Sequence, residues 1–259
     1  MAKVTQAVIL AAGESSRFWP LASDRHKSMY AILGKPILQY TVESLKKLGL
    51  RDLIIVVSPT DTSVRKHFAN GKKFGVRIRY AAQKQPTGMA GAILAAKPIL
   101  AQQFAVLNAS SFSCDQALKP MLRKSGLVLA ATATKTPQLY GIFTFSGSKV
   151  VGLTEKPKIP KSNQRIVGTY ILTREFLPVL QKHRGHYAFE DALNAWLRTK
   201  PATVLRLKNY PELSLKYPWH LLAINQQFMQ NLKRHRGKNV KVHLMFPDSL
   251  DFMYGEHQK

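Results

Sequence analysis

The sequence predicts an α/β protein built on a doubly wound sheet. Three observations carry that reading. Short apolar runs of strand length alternate with helix-period segments through the first 110 residues. The runs at 7–10, 53–57 and 104–107 are apolar throughout rather than alternating, as parallel strands covered on both faces require. After about residue 125 strand-like runs follow one another with turn signals between them, as in Ser146-Gly147-Ser148. That change adds a mixed sheet to the parallel core.

The elements follow in order. Residues 7–10 form a buried strand, and 36–48 a helix with Ile37, Leu38, Thr41, Val42, Leu45 and Leu48 on one stripe. Strands follow at 53–57, 76–81 and 104–107, separated by a short helix at 61–69 and an Ala-rich one at 88–100. The second half reads as strands at 127–134, 141–145, 150–154 and 166–172, helices at 174–181 and 189–199, a strand at 202–207 and a late helix at 219–232. The tail from 237 to 259 has no period, and no structure is assigned to it.

Composition excludes several classes. With 45% apolar and 20% charged residues, the chain is not a collagen, a coiled coil or a disordered tract. A single cysteine, Cys114, excludes an internal disulfide and a Cys-based zinc site. The opening apolar run, residues 7–12, is too short for a signal peptide or a membrane span, so a soluble cytoplasmic protein is expected. The distinctive figure is charge: 39 Lys and Arg against 14 Asp and Glu, a formal +25. Such an excess favours an anionic partner without choosing between nucleic acid, membrane surface, phosphorylated metabolite and acidic protein. Its densest cluster is Lys233, Arg234, His235, Arg236 and Lys238.

The first strand runs into Leu10-Ala11-Ala12-Gly13-Glu14-Ser15-Ser16-Arg17. Small residues there let backbone amides approach a ligand and cradle phosphate oxygens. The loop lies at the carboxyl end of a strand, where open α/β sheets bind ligands. It is neither a G-x-G-x-x-G nor a G-K-[ST] loop.

Further blocks follow it in the chain: His26-Lys27-Ser28-Met29, Gly34-Lys35-Pro36-Ile37-Leu38, Gln83 with Pro86-Thr87-Gly88-Met89-Ala90-Gly91-Ala92, Tyr140-Gly141, Glu155-Lys156-Pro157, Val167-Gly168-Thr169-Tyr170, and Pro218-Trp219 with Leu221-Leu222. In this order and spacing they resemble the signature of the sugar-phosphate nucleotidyltransferases, over about residues 6–225. The resemblance implies a Rossmann-like, GT-A type mixed sheet in three α/β/α layers, here a domain over 1–232 followed by a basic tail over 233–259. It also implies a reaction in which a sugar 1-phosphate attacks the α-phosphorus of a nucleoside triphosphate and pyrophosphate leaves.

By the same resemblance, Arg17 and Lys27 are the catalytic cations on the phosphates. Leu10, Ala11, Ala12, Gly13, Glu14, Gln83 and Gly88 bind the nucleotide, with Gln83 and Gly88 against the base. Gly141, Glu155, Lys156 and Thr169 face the sugar phosphate. The family's Mg²⁺ is held by two aspartates. Here Ser110 and His220 occupy those positions, so no metal residue is assigned and the expected Mg²⁺ lacks its acidic anchor. Asp115, five residues past Ser110, reads as the cap of the next helix.

Two readings therefore stand side by side: a working nucleotidyltransferase, and a non-catalytic homologue that binds a nucleotide or nucleotide-sugar. Homo- and hetero-oligomers are both open. A third reading, nucleic-acid binding, draws on Tyr210, Tyr217 and Trp219 beside Lys208, Lys216 and the 233–238 cluster, but no nucleic-acid motif accompanies them.

Overall fold

The computed structural model describes residues 4–23, 25–111, 114–208, 210 and 215–236. The elements are β1 (Gln6–Ala11), β2 (Ala31–Ile32), β3 (Lys35–Pro36), α1 (Ile37–Lys47), β4 (Asp52–Val57), α2 (Ser63–Phe68), β5 (Arg77–Ala82), α3 (Gly88–Ala95) and β6 (Gln103–Asn108). The second half contributes α4 (Cys114–Met121), β7 (Val128–Ala133), β8 (Gly141–Ser146), β9 (Lys149–Glu155), β10 (Gln164–Thr173), α5 (Phe176–Gln181), α6 (Ala188–Thr199), β11 (Thr203–Leu207) and α7 (His220–Arg236).

The main sheet runs β11-β7-β10-β6-β1-β4-β5, with the β8–β9 ribbon attached to β10. Strands β6, β1, β4 and β5 are mutually parallel, and β10 enters antiparallel between β6 and β7. This is the doubly wound mixed sheet that the sequence predicts. Successive residues of a strand point to opposite faces. Val8 and Val106 accordingly join one core with Ile93, Phe176, Phe189 and Trp196 from α3, α5 and α6. Ile9 and Leu107 join the other, with Leu38, Val42, Phe68 and Leu118 from α1, α2 and α4. Three layers result.

Some boundaries differ from the sequence reading, for local reasons. The predicted 88–100 helix ends at Ala95, and Lys97–Ile99 form a separate 3₁₀ turn. Pro98 supplies no N–H and disfavours helical backbone at the residue before it. Asp115 sits inside the first turn of α4, where a negative charge suits the helix dipole. The late helix runs on to Arg236, and the tail beyond it lies outside the described residues. Among the described residues no helix is long and apolar enough to cross a membrane.

A third, smaller core positions the site. Phe18, Ile32, Ile37, Leu215 and Ile224 are buried together, with Tyr40, Leu221 and Phe228 packed against them. Polar ties hold the same parts. Tyr40 Oη donates to the Ile32 carbonyl at 2.8 Å, and the Leu33 amide donates to Asn225 Oδ1 at 3.1 Å. The loop after β1 is thereby fixed to α7 from the far end of the chain.

At the amino ends of the parallel strands a different cluster forms. Asp52 accepts hydrogen bonds from Gln6 Nε2 (2.7 Å), Arg77 Nε (3.2 Å) and Arg79 Nη2 (2.9 Å). It ties the first residues of β1, β4 and β5 to one carboxylate.

Candidate functional site

A cleft of about 530 Å³ opens at the carboxyl ends of the parallel strands. Leu10, Ala12, Gly13, Glu14 and Arg17 line it from the loop after β1, and His26 and Lys27 from the turn that follows. Gln83 and Gly88 enter from the β5–α3 connection, Asn108 and Ser110 from the end of β6, and Leu215 and Lys216 from the segment before α7. The fold thus gathers the residues assigned from sequence to the nucleotide and the catalytic cations. Ala11 is the exception: it is buried beneath the loop in the core.

The loop geometry follows from its anchors. Ser15 takes a left-handed backbone (φ 55°) just before a short 3₁₀ turn, Ser16–Phe18. Phe18 is fully buried while its neighbour Arg17 is exposed. Leu215 is buried in the same small core, and its neighbour Lys216 reaches the cleft. Two apolar side chains in one core therefore hold two cations at one opening. His26 caps the turn Lys27–Met29, its Nδ1 accepting from the Ser28 amide at 3.2 Å. Burial, reinforced by the Lys27 charge, pushes the His26 pKa down to about 3, so the ring is neutral.

Charge is the dominant feature. Burial lowers the Lys27 pKa, and Arg17 and Lys216 push it the same way. Burial also lowers that of Lys216, with Arg17, Lys156 and Arg165 adding to the effect and Glu155 opposing it. Five cations thus feel one another across the site. Lys216 Nζ lies 5.0 Å from the centroid of the Tyr140 ring, and the Arg165 guanidinium carbon 4.9 Å from it. Among the described residues, none of the Arg17, Lys27, Lys156 and Lys216 side chains forms an ion pair. Like charges held together without direct ion pairs make a seat for a polyanion.

Gln83 is buried, and its Nε2 donates to the Gly88 carbonyl at 3.0 Å. A Cβ on Gly91 would clash with Thr87 Oγ1 and meet Gln83 Nε2 at 3.0 Å, so a larger residue there would require Thr87 to move. The residues assigned to the sugar phosphate sit on the adjoining β8–β9 ribbon and on β10, and do not line the cleft itself. Gly141 pairs with Glu155, and a Cβ on Gly141 would stand 2.8 Å from the Glu155 carboxylate. The Lys156 amide donates to the Tyr140 carbonyl at 3.0 Å from a left-handed backbone (φ 45°). Thr169 is fully buried on β10, opposite Leu107. On α6, burial raises the Glu190 pKa, and Glu155 and Asp191 add to the rise.

The two positions at which the resemblance leads one to expect aspartates take different parts. Ser110 lines the cleft as a neutral hydroxyl. His220 begins α7, and its Nδ1 accepts the backbone N–H of Lys216 at 3.2 Å. Among the described residues no group of three or more His, Cys, Asp and Glu is placed to hold a metal ion. A hydroxyl and an imidazole already accepting a hydrogen bond do not fit a hard divalent cation. Sequence reasoning places none of Lys216, Arg165 and Asn108 at the nucleotide site; it names Lys216 only among the basic residues beside Tyr217 and Trp219 in the nucleic-acid reading.

For the nucleic-acid reading, Tyr217 and Trp219 stack on each other, with centroids 4.6 Å apart and planes 5° apart. The 233–238 cluster straddles the end of α7 and residues outside the description.

Comparison with known proteins addresses the same region. The chain is 30% identical over 203 residues to glucose-1-phosphate thymidylyltransferase of Mycolicibacterium smegmatis, covering 74% of this chain and 70% of that one. It is 27% identical over 231 residues to the bifunctional protein GlmU of Methanocaldococcus jannaschii, covering 87% of this chain and 55% of the relative. This chain therefore spans about half the length of that bifunctional protein. A crystal structure from Bacillus anthracis, described as a glucose-1-phosphate thymidylyltransferase, superposes with a TM-score of 0.76 at 18% identity, over 92% of this chain and 97% of that one. That likeness carries the fold. A family model described as nucleotidyl transferase matches residues 6–210, a span that holds the β1 loop, the Gln83–Gly88 connection and the β8–β9 ribbon, and on that match the chain belongs to the nucleotidyl transferase family.

Proposed function

We propose that the cleft binds a nucleoside triphosphate, with a sugar 1-phosphate entering beside it along the β8–β9 ribbon. The observation that carries this is the set of cations Arg17, Lys27 and Lys216, without ion pairs among the described residues and held at the carboxyl ends of β1 and β6. In this reading the amides after Gly13 and the Arg17 guanidinium grip the triphosphate. Gln83, with one amide hydrogen committed to Gly88, offers its carbonyl to an imide N–H of the base, which uracil and thymine present. Glu155 accepts from sugar hydroxyls, and Lys156 holds the sugar phosphate.

The transfer asks little covalent chemistry of the protein. An oxygen of the sugar phosphate forms a bond to the α-phosphorus. The bond from that phosphorus to the β-phosphate oxygen breaks, and its electron pair leaves on pyrophosphate. The nucleophile is already an anion, so no base is needed. Arg17 and Lys27 neutralise charge on the leaving group and at the five-coordinate phosphorus. Relatives with thymidylyltransferase and bifunctional GlmU names are consistent with this substrate pair. The donor set at Ser110 and His220 does not fit Mg²⁺, and no step is assigned to it.

That donor set also favours a second reading, in which the protein holds nucleotide or nucleotide-sugar without turnover. One assay separates the two. Purified protein, nucleoside triphosphates and a panel of sugar 1-phosphates, with MgCl₂ present, are followed for pyrophosphate release. Release supports transfer. Silence with a nucleotide-dependent rise in melting temperature supports binding alone. Gain of release in the double variant Ser110→Asp with His220→Asp would identify the lost carboxylates as the reason for silence. Absence of both release and stabilisation would overturn both readings.

A further inference from the structure

We propose that Lys216 stands where a divalent cation would otherwise act, so that the cleft takes its polyphosphate ligand as the metal-free anion. The inference rests on reading the cleft as a polyphosphate site. Three features of the structure support it. Lys216 lines the same cleft as Arg17 and Lys27, with its ammonium against the Tyr140 ring. His220, at the position where a second metal carboxylate would lie, accepts the Lys216 backbone N–H at 3.2 Å. It therefore fixes the lysine rather than a cation. Finally, Leu215 is 1% exposed in the core that also buries Phe18, so Lys216 and Arg17 are held together before any ligand arrives.

The electrostatics give the proposal a direction. Two aspartates and a bound Mg²⁺ together add no net charge to a cleft. Ser110 and His220 in place of two carboxylates, together with Lys216, leave the cleft with more positive charge and no metal. Such a site prefers the ligand with the greater negative charge. Mg²⁺ bound to the triphosphate removes two of those charges and places a cation against Lys216. Added Mg²⁺ should therefore weaken binding, the reverse of a metal-dependent site.

The test is calorimetric titration of the full chain with UTP and with dTTP, once in EDTA and once in saturating MgCl₂. Binding in EDTA tighter than in Mg²⁺ is expected, and equal or tighter binding in Mg²⁺ would overturn the proposal. Lys216→Ala should weaken the metal-free nucleotide by about tenfold or more, the size of one charge-assisted contact. It should change affinity for the Mg²⁺ complex much less. Lys149→Ala removes the same charge from an exposed site on β9 and should change neither. Thermal melts establish that each variant folds, and Lys216→Gln, which keeps most of the stem, replaces the alanine variant if that one does not. Nucleotide binding that requires Mg²⁺ would overturn the proposal while leaving the polyphosphate reading intact. So would equal losses in the Lys216 and Lys149 variants. No binding of either nucleotide in either condition would overturn the polyphosphate reading, and the proposal with it.

Discussion

The two ends of the same parallel strands both carry clusters of cations, and the clusters differ in kind. At the amino ends, Arg77 and Arg79 converge on Asp52, which Gln6 also reaches. At the carboxyl ends, Arg17, Lys27 and Lys216 converge on one another, and among the described residues their side chains form no ion pair. The amino-end hollow beside Arg51, Asp52 and Arg77, at about 600 Å³, is comparable in size to the cleft, at about 530 Å³. Size therefore does not choose the site. Paired cations stabilise the sheet that holds them. Unpaired cations, forced together by buried anchors such as Phe18 and Leu215, destabilise the free protein and need a ligand to justify them.

Charge reversal should break the comparison most sharply. Lys27→Glu puts a carboxylate against the phosphates, and a like-charge contact costs several kcal/mol. Nucleotide affinity should fall by about a hundredfold or more. The same variant should melt no lower than the parent, because the new carboxylate would relieve the repulsion between Arg17 and Lys216. Calorimetry beside a thermal melt reads both, and retained affinity would remove Lys27 from the site.

Asp52→Asn acts at the other end and should do the opposite. It leaves Arg77 and Arg79 without their shared carboxylate. Losing hydrogen bonds to a charged partner of this kind costs about 1–3 kcal/mol. Urea denaturation should show that loss with nucleotide affinity unchanged. A variant that kept its stability and lost the ligand would invert the assignment of the two ends.

The contrast between the ends also marks what the sequence made legible. Strands 7–10, 53–57 and 104–107 stand out because a buried parallel strand is apolar on both faces, and each lies within β1, β4 or β6. Arg17, Lys27, Gln83 and Gly88 sit in blocks whose order and spacing are local properties of the chain. Lys216 belongs to no such block. It reaches Arg17 only because Leu215 and Phe18, far apart in sequence, share one core. The Asp52 cluster is hidden for the same reason, since Gln6, Asp52, Arg77 and Arg79 meet only when β1, β4 and β5 are in register. Glycine positions are legible in part. Gly141 falls in a Tyr-Gly block, but its closeness to Glu155, whose carboxylate lies 2.8 Å from where a Cβ would sit, is a cross-strand contact.

A smaller effect sharpens the claim that the carboxyl-end cations oppose stability. Lys27→Met keeps most of the length of the side chain and removes its charge. Both causes that lower the Lys27 pKa, burial and the neighbouring cations, vanish with that charge. The variant should be more stable by about 0.5–2 kcal/mol, as expected where function is held against stability. It should also bind nucleotide more weakly than the parent. A loss of stability would mean that Lys27 has a structural partner.

The smallest effects lie in the pH dependence, where the two ends should respond at opposite limits. Burial alone would raise the Asp52 pKa, but hydrogen bonds from Gln6 and Arg77 and the charge of Arg79 outweigh it and hold the carboxyl below its ordinary value. The folded state therefore binds that proton less readily than the unfolded chain. The stability Asp52 contributes is complete above the ordinary carboxylate pKa of ~3.9 and is lost as pH falls through the folded value. Lys27 and Lys216 are also depressed, but they are bases. Their cost is complete below their folded values and is relieved as pH rises through those values towards the ordinary ~10.4. Acid unfolding should then be less steep in Asp52→Asn than in the parent. On the alkaline side the advantage of Lys27→Met should shrink as pH rises. Nucleotide affinity of the parent should fall over that same alkaline range, because the lysines that gain stability by losing their protons lose their hold on phosphate. Parallel acid limbs for the parent and Asp52→Asn would dissolve the amino-end half of the contrast, and an alkaline rise in nucleotide affinity would dissolve the other.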